Sequence, residues 1–306
     1  MNRKALIFYF LCIIWGSTWL FIKLGLRDLP PISFAGIRFL IASIVLVSIV
    51  KVRKIELPRA SGDWLLIFFT GILTFSLNYG LVFWGEQRTS SGLASILHAI
   101  IPLFGLVLAH YYIPEERFSW AKAGCVLLGI AGVGIIFSNQ LSSEGSSVLI
   151  GSIALVTGAF SISYSSVLIK ARSRHIDPVV LAAGQMTFGF VPLLVIGWAV
   201  EGSPFTFHWT GQAVVSLLYL AIVGSCCAFL MYYWLLRRMQ VTTTMLISLV
   251  TPAVAVLLGL WYLAEPITWQ IIVGALCIMI GISINIYRSR ASKEEIQPEP
   301  VEEFEG

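Results

Sequence analysis

The stretch ALIFYFLCIIWGSTWLFIKLGL, Ala5 to Leu26, carries a single charge, Lys23, in twenty-two residues. As a helix rising 1.5 Å per residue it spans about 33 Å, enough to cross a hydrocarbon layer of about 30 Å. Arg3-Lys4 ahead of it resembles the start of a signal peptide. The apolar run is too long for one, however, and lacks a small-x-small cleavage site, so it reads as a retained first helix.

The same reading extends along the chain. Cutting at charge clusters, prolines and polar turns yields ten runs, near 5–26, 32–50, 64–84, 92–112, 119–138, 148–169, 179–200, 211–235, 242–263 and 267–287. Of the 306 residues 58% are hydrophobic and only 12% charged, and mean hydropathy is +0.87. A soluble domain carries about a quarter charged residues, so lipid must be the solvent for most of this chain. The expected fold is an all-α membrane protein of ten transmembrane helices. From Ser292 the chain turns acidic and loses its apolar period, which predicts a disordered tail over 292–306.

The net charge of +4 matters less than where the basic residues fall. With the N-terminus inside, sixteen of the twenty Lys and Arg collect in cytoplasmic segments. Arg27 and Arg88 fall outside, and Lys23 and Arg38 lie within helices. The positive-inside rule then places both termini in the cytoplasm, in the inner (plasma) membrane.

Two nearly constant offsets reveal an internal repeat. A shift of 147 sets Lys23 on Lys170 and Pro31 on Pro178. A shift of 150 sets Trp84 on Trp234, Arg88 on Arg238, Pro102 on Pro252, Tyr112 on Tyr262, Glu115 on Glu265 and Gly124 on Gly274. The units, 1–138 and 148–290, hold five helices each. An odd number inserts the second unit upside down relative to the first, the inverted-repeat design of many transporters.

Several short motifs run through both units in order. They are Trp15-Gly16-Ser17 with Lys23, Leu29-Pro30-Pro31 with Arg38, Thr89 to Ser95 (TSSGLAS) with Pro102, and Glu115-Glu116-Arg117 with Gly124. Pro252, Glu265-Pro266, Gly274 and Gly281 echo them in the second unit. This ordered set resembles the ten-helix EamA family of the drug/metabolite transporter superfamily, over the whole chain except the tail. The resemblance implies an exporter of amino acids or related small polar metabolites, working by alternating access without ATP. Purine and drug exporters share the family and form the alternative. The units differ where Gln185 stands opposite Arg38 and Ser163 opposite Gly16.

Polar residues inside apolar runs are the candidate site, because each needs a partner or a watery cavity. Arg38 lies about 10 Å into its helix, counted from Pro31. It is either an anchor for a substrate carboxylate or a structural residue tied to helix-end carbonyls or Asp28. Lys23 lies nearer the outer surface and reads as a snorkelling stem. Trp15, Ser17 and Thr18 either face a central cavity or join helices. Asn78 and Gln185 are buried amides that must satisfy donors and acceptor alike. His98 either titrates in the pathway or bridges helices. Tyr164 and Trp84 either stack a substrate or pack. Pro102, Pro192 and Pro252 are hinges for gating or tolerated kinks, and Gly124, Ala131, Gly274 and Gly281 are packing positions.

No Asp or Glu falls in the middle of a predicted span, so a zwitterionic or anionic solute fits better than a lipophilic cation. The five cysteines lie in apolar runs without ligand spacing, and neither disulfide nor metal is expected. No P-loop, HExxH or GxSxG occurs, so neither an enzyme nor a cofactor is expected. The expected partners are a small-molecule substrate and the lipid bilayer, not nucleic acid, and a homodimer stays open. A membrane receptor or scaffold remains the non-transport alternative.

Overall fold

The computed structural model describes residues 3–88, 97–136, 138, 146–254 and 269–294. The TSSGLAS motif, Tyr262, Glu265-Pro266 and the tail beyond Glu294 lie outside the described residues. Every regular element among the described residues is helical. Six helices are long and apolar enough to cross a membrane: α1 (Arg3–Gly25), α2 (Pro31–Val52), α3 (Ser61–Gly85), α6 (Ser146–Arg172), α7 (Pro178–Glu201) and α8 (Gly211–Arg238). Shorter apolar helices among the described residues are α4 (Ile101–Tyr112), α5 (Trp120–Ile136) and α9 (Val241–Val254), and α10 (Trp269–Glu294) carries a shorter apolar stretch, Ile272–Ile284. Helix α10 runs to Glu294, past the end near 287 expected from hydropathy and into the first residues of the predicted tail.

Helix starts follow local chemistry. Pro31 and Pro178 open α2 and α7, where a missing N–H costs nothing, and the Asp177 carboxylate accepts from the Val179 N–H at 2.7 Å. Gly202, at φ +91°, ends α7 in a conformation that side chains resist.

Packing respects the repeat. Helix α2 lies along α7 and α5 along α10. Helix α1 meets α8 as α6 meets α3, and α3 meets α7 as α8 meets α2. Gly16 approaches so closely that an added Cβ would lie 3.2 Å from the Thr251 carbonyl. Its repeat mate Ser163 donates to the Ile101 carbonyl at 3.0 Å, and Ile101 stands 150 residues before Thr251. Arg88 stacks on Trp84 at 3.6 Å and Arg238 on Trp234 at 4.1 Å, the same pair in both units.

Helices α3 and α8 each widen into a π-helical segment, Ile72–Asn78 and Ile222–Cys227, starting 150 residues apart. A π-turn loosens the carbonyl ladder, and the carbonyls freed in an apolar bundle need other donors. Ser161 Oγ donates to the Leu73 carbonyl at 2.8 Å. In α8 the Gly224 carbonyl accepts from Trp15 Nε1 at 3.3 Å and from Arg38 Nη2 at 3.2 Å.

Small residues bring α5 against α10. A Cβ on Gly281 would lie 2.6 Å from the Cys125 carbonyl, and one on Gly132 would lie 2.6 Å from that of Gly274. Gly124 faces open space, so the close approach uses Gly132 instead of the expected Gly124.

Candidate functional site

A cavity of about 110 Å³ lies between residues of the two units. Helix α1 offers it Trp15, Thr18, Trp19 and Ile22, one helical face at spacings of three, four and seven. Arg38 enters from α2, Asn78 and Tyr79 from α3, and His98 from the helical residues just ahead of the turn into α4. On the other side stand Ser166, Phe229 and Tyr232, and the stripe Thr244, Ser248 and Thr251 of α9.

Arg38 is 2% exposed. Its Nε donates to Ser225 Oγ at 2.9 Å and its Nη2 to the Gly224 carbonyl, both within the π-segment of α8. The guanidinium also lies against the rings of Phe39 at 5.1 Å and Tyr79 at 5.3 Å. Nη1 has no hydrogen-bond partner among the described residues. Asp28 is occupied elsewhere: its carboxylate accepts from Thr210 Oγ1 at 2.5 Å and lies 3.7 Å from His208. Among the described residues, no carboxylate forms an ion pair with Arg38. A glycine at 224 makes room, since a Cβ there would come within 2.8 Å of Thr18 Cγ2 and 3.4 Å of Arg38 Nη2.

The other candidates divide by helix rotation. Asn78 and His98 line the cavity with Oδ1 and Nε2 3.4 Å apart. Ser17 is turned off the α1 face and shares a 2.6 Å hydrogen bond with the Tyr219 hydroxyl, outside the lining. Gln185 is fully buried between α3 and α8, away from the cavity. Its Nε2 donates to Thr70 Oγ1 at 2.6 Å and its Oε1 accepts from the Tyr233 hydroxyl. Tyr164 pairs with Tyr112, their hydroxyls 3.2 Å apart, and also stands outside the lining.

Pro102 begins α4 instead of bending it, Pro192 lies inside α7, and Pro252 is buried near the described end of α9. Lys23 is exposed, whereas its repeat mate Lys170 is 9% exposed and donates to the carbonyls of Leu236 at 2.6 Å and Met239 at 2.7 Å.

Sequence reading missed most of the aromatic wall, because aromatic residues inside apolar runs carry no signature of their own. It also missed Thr244, Ser248 and Thr251, whose spacing of four and three marks one helix face.

A family model for EamA-like transporters matches residues 3–138 and again 149–287. The chain belongs to the EamA-like transporter family. Like the family as a whole, it is an integral membrane protein of the transporter type. It is 31% identical over 276 residues to a Bacillus subtilis (strain 168) protein described as "Uncharacterized transporter YoaV", covering 90% of this chain and 94% of that one. A second relative, "Uncharacterized inner membrane transporter YedA" of Escherichia coli (strain K12), is 31% identical over 254 residues, 81% of this chain and 79% of its own. A solved crystal structure shares the EamA-like fold at a TM-score of 0.81 and 17% identity, over 95% of this chain and 98% of the other.

Proposed function

We propose that this chain is a secondary carrier exporting a small carboxylate-bearing metabolite, an amino acid or a relative of one, by alternating access. Ten spans in two inverted five-helix units enclose one site, with both termini on the cytoplasmic side of the cell membrane. The exchange of helix contacts between units and the paired π-segments support the two-unit arrangement. The lysine and arginine asymmetry supports the orientation.

One observation carries the substrate reading: Arg38 is buried on the cavity wall with Nη1 unpartnered among the described residues. An ionised group held in a low-dielectric interior is costly without a counter-charge. A carboxylate entering the cavity supplies that charge and offers acceptors to the fork of the guanidinium. Asn78, His98 and the hydroxyl stripe of α9 then orient the rest of the solute.

The test is flux of a broad solute panel into proteoliposomes. Arg38→Ala is expected to lower uptake of the transported solute at least tenfold, equivalent to about 1.4 kcal/mol. Arg38→Lys retains part of it, and Lys23→Ala stays near wild type. Undiminished flux in a well-folded Arg38→Ala protein removes the anchor, and a panel without any flux removes the carrier.

A further inference from the structure

We infer that the ligand of the central cavity is a monocarboxylate with an apolar, ring-sized body and no ammonium group. This rests on the carrier reading and narrows its carboxylate-bearing solute to one outside the amino acids.

The argument starts from charge. Among the described lining residues Arg38 is the one Lys, Arg, Asp or Glu. A monoanion on Arg38 leaves the loaded cavity neutral. A zwitterion spends its carboxylate on Arg38 and leaves an ammonium, with net charge +1, inside the bundle. Lone pairs of Thr18, Ser248 and Thr251 can accept an N–H, because these hydroxyls give their own protons to the backbone carbonyls of Trp15, Met245 and Ser248. They answer the hydrogen bond but not the charge. In a low-dielectric cavity an ion without a counter-ion is the costlier deficit.

The walls describe the body. Trp15, Trp19, Tyr79, Phe83, Phe229 and Tyr232 surround the space, with Trp15 5.4 Å from Phe229 and 5.2 Å from Tyr232 by ring centroids. Such faces favour a flat or branched apolar group. The volume of about 110 Å³ is of the order of the roughly 150 Å³ cavity known to hold one benzene. An inside-negative membrane potential drives such an anion outward, which agrees with export.

Three probes sharing one body separate the charge states: phenylacetate, L-phenylglycine and benzylamine. Binding to the purified full-length protein in detergent is measured by isothermal calorimetry near neutral pH, which avoids passive leak of the protonated acid through liposomes. Phenylacetate is expected to bind at least tenfold tighter than phenylglycine, with benzylamine weakest. Equal or tighter binding of phenylglycine or benzylamine overturns the inference, as does failure of phenylacetate to bind. The carrier reading fails separately: if an amino acid from the flux panel moves in an Arg38-dependent way, the carrier stands and the monocarboxylate falls. No flux of any solute removes the carrier itself.

Discussion

Gln185 shows how a polar residue in an apolar span can serve the scaffold instead of the ligand. Its amide donates to Thr70 and accepts from Tyr233, tying α7 to α3 and α8 in a fully buried position. Removing it strands the buried Tyr233 hydroxyl, at a cost of about 1–3 kcal/mol, while Thr70 keeps its 2.6 Å bond to the Leu66 carbonyl. Gln185→Ala is therefore expected to lower the thermal midpoint of the solubilised protein while leaving ligand affinity within twofold. Thermal unfolding and calorimetry on the same preparation check both halves, and a selective loss of affinity would return Gln185 to the cavity wall. Arg38, Asn78, His98, Trp15 and Thr18 were legible as lining candidates by the same signal that proposed Gln185, Ser17 and Tyr164. Depth in the membrane can be read from sequence. Rotation about the helix axis cannot be read so directly, and it separates Thr18 from Ser17.

At the scale of elements, the turn from α8 to α9 is held by two oppositely charged side chains from elsewhere. Both Glu116 oxygens accept from the Val241 N–H, at 2.9 and 2.8 Å, where α9 begins. Lys170 caps the carbonyls of Leu236 and Met239 where α8 ends. Each charge complements the dipole it meets. Burial pushes the Glu116 carboxyl above the usual range, although Lys170 and the Val241 N–H pull it back in part. A carboxyl raised by folding binds its proton more tightly in the native state. Its contribution to stability is then full below about pH 4.3, the ordinary value, and is lost as pH rises through the raised value. Thermal stability should therefore climb as pH falls from neutral towards about 4.3, the ordinary carboxyl value, with a shallower slope in Glu116→Gln. Equal slopes in scans of the two proteins would remove Glu116 as the source. Hydropathy predicted the helices that meet here. It offered no warning of the π-segments, which depend on side-chain donors reaching freed carbonyls across helices. Lys23 and Lys170 likewise match in sequence but differ in exposure, because equivalence in a repeat does not fix the contacts each copy makes.

The whole molecule turns on the sense in which its halves are inserted. The five helices per unit read from the sequence, a lysine and arginine bias that a shift of one helix would destroy, and Trp–Arg stacks recurring at an offset of 150 all fit the proposed opposed insertion. In that arrangement Arg27, after α1, faces outside, and Arg174, after α6 at the same place in the second unit, faces the cytoplasm. The five native cysteines, Cys227 exposed among them, must first be replaced. Single cysteines at Arg27→Cys and Arg174→Cys are then treated with a membrane-impermeant maleimide on intact cells. Position 27 is expected to label at once and position 174 only after permeabilisation. Labelling of both from one side would mean that the halves insert in parallel. A pseudo-twofold axis in the membrane plane would then be lost, and with it the physical reason for one shared cavity to open alternately to either side.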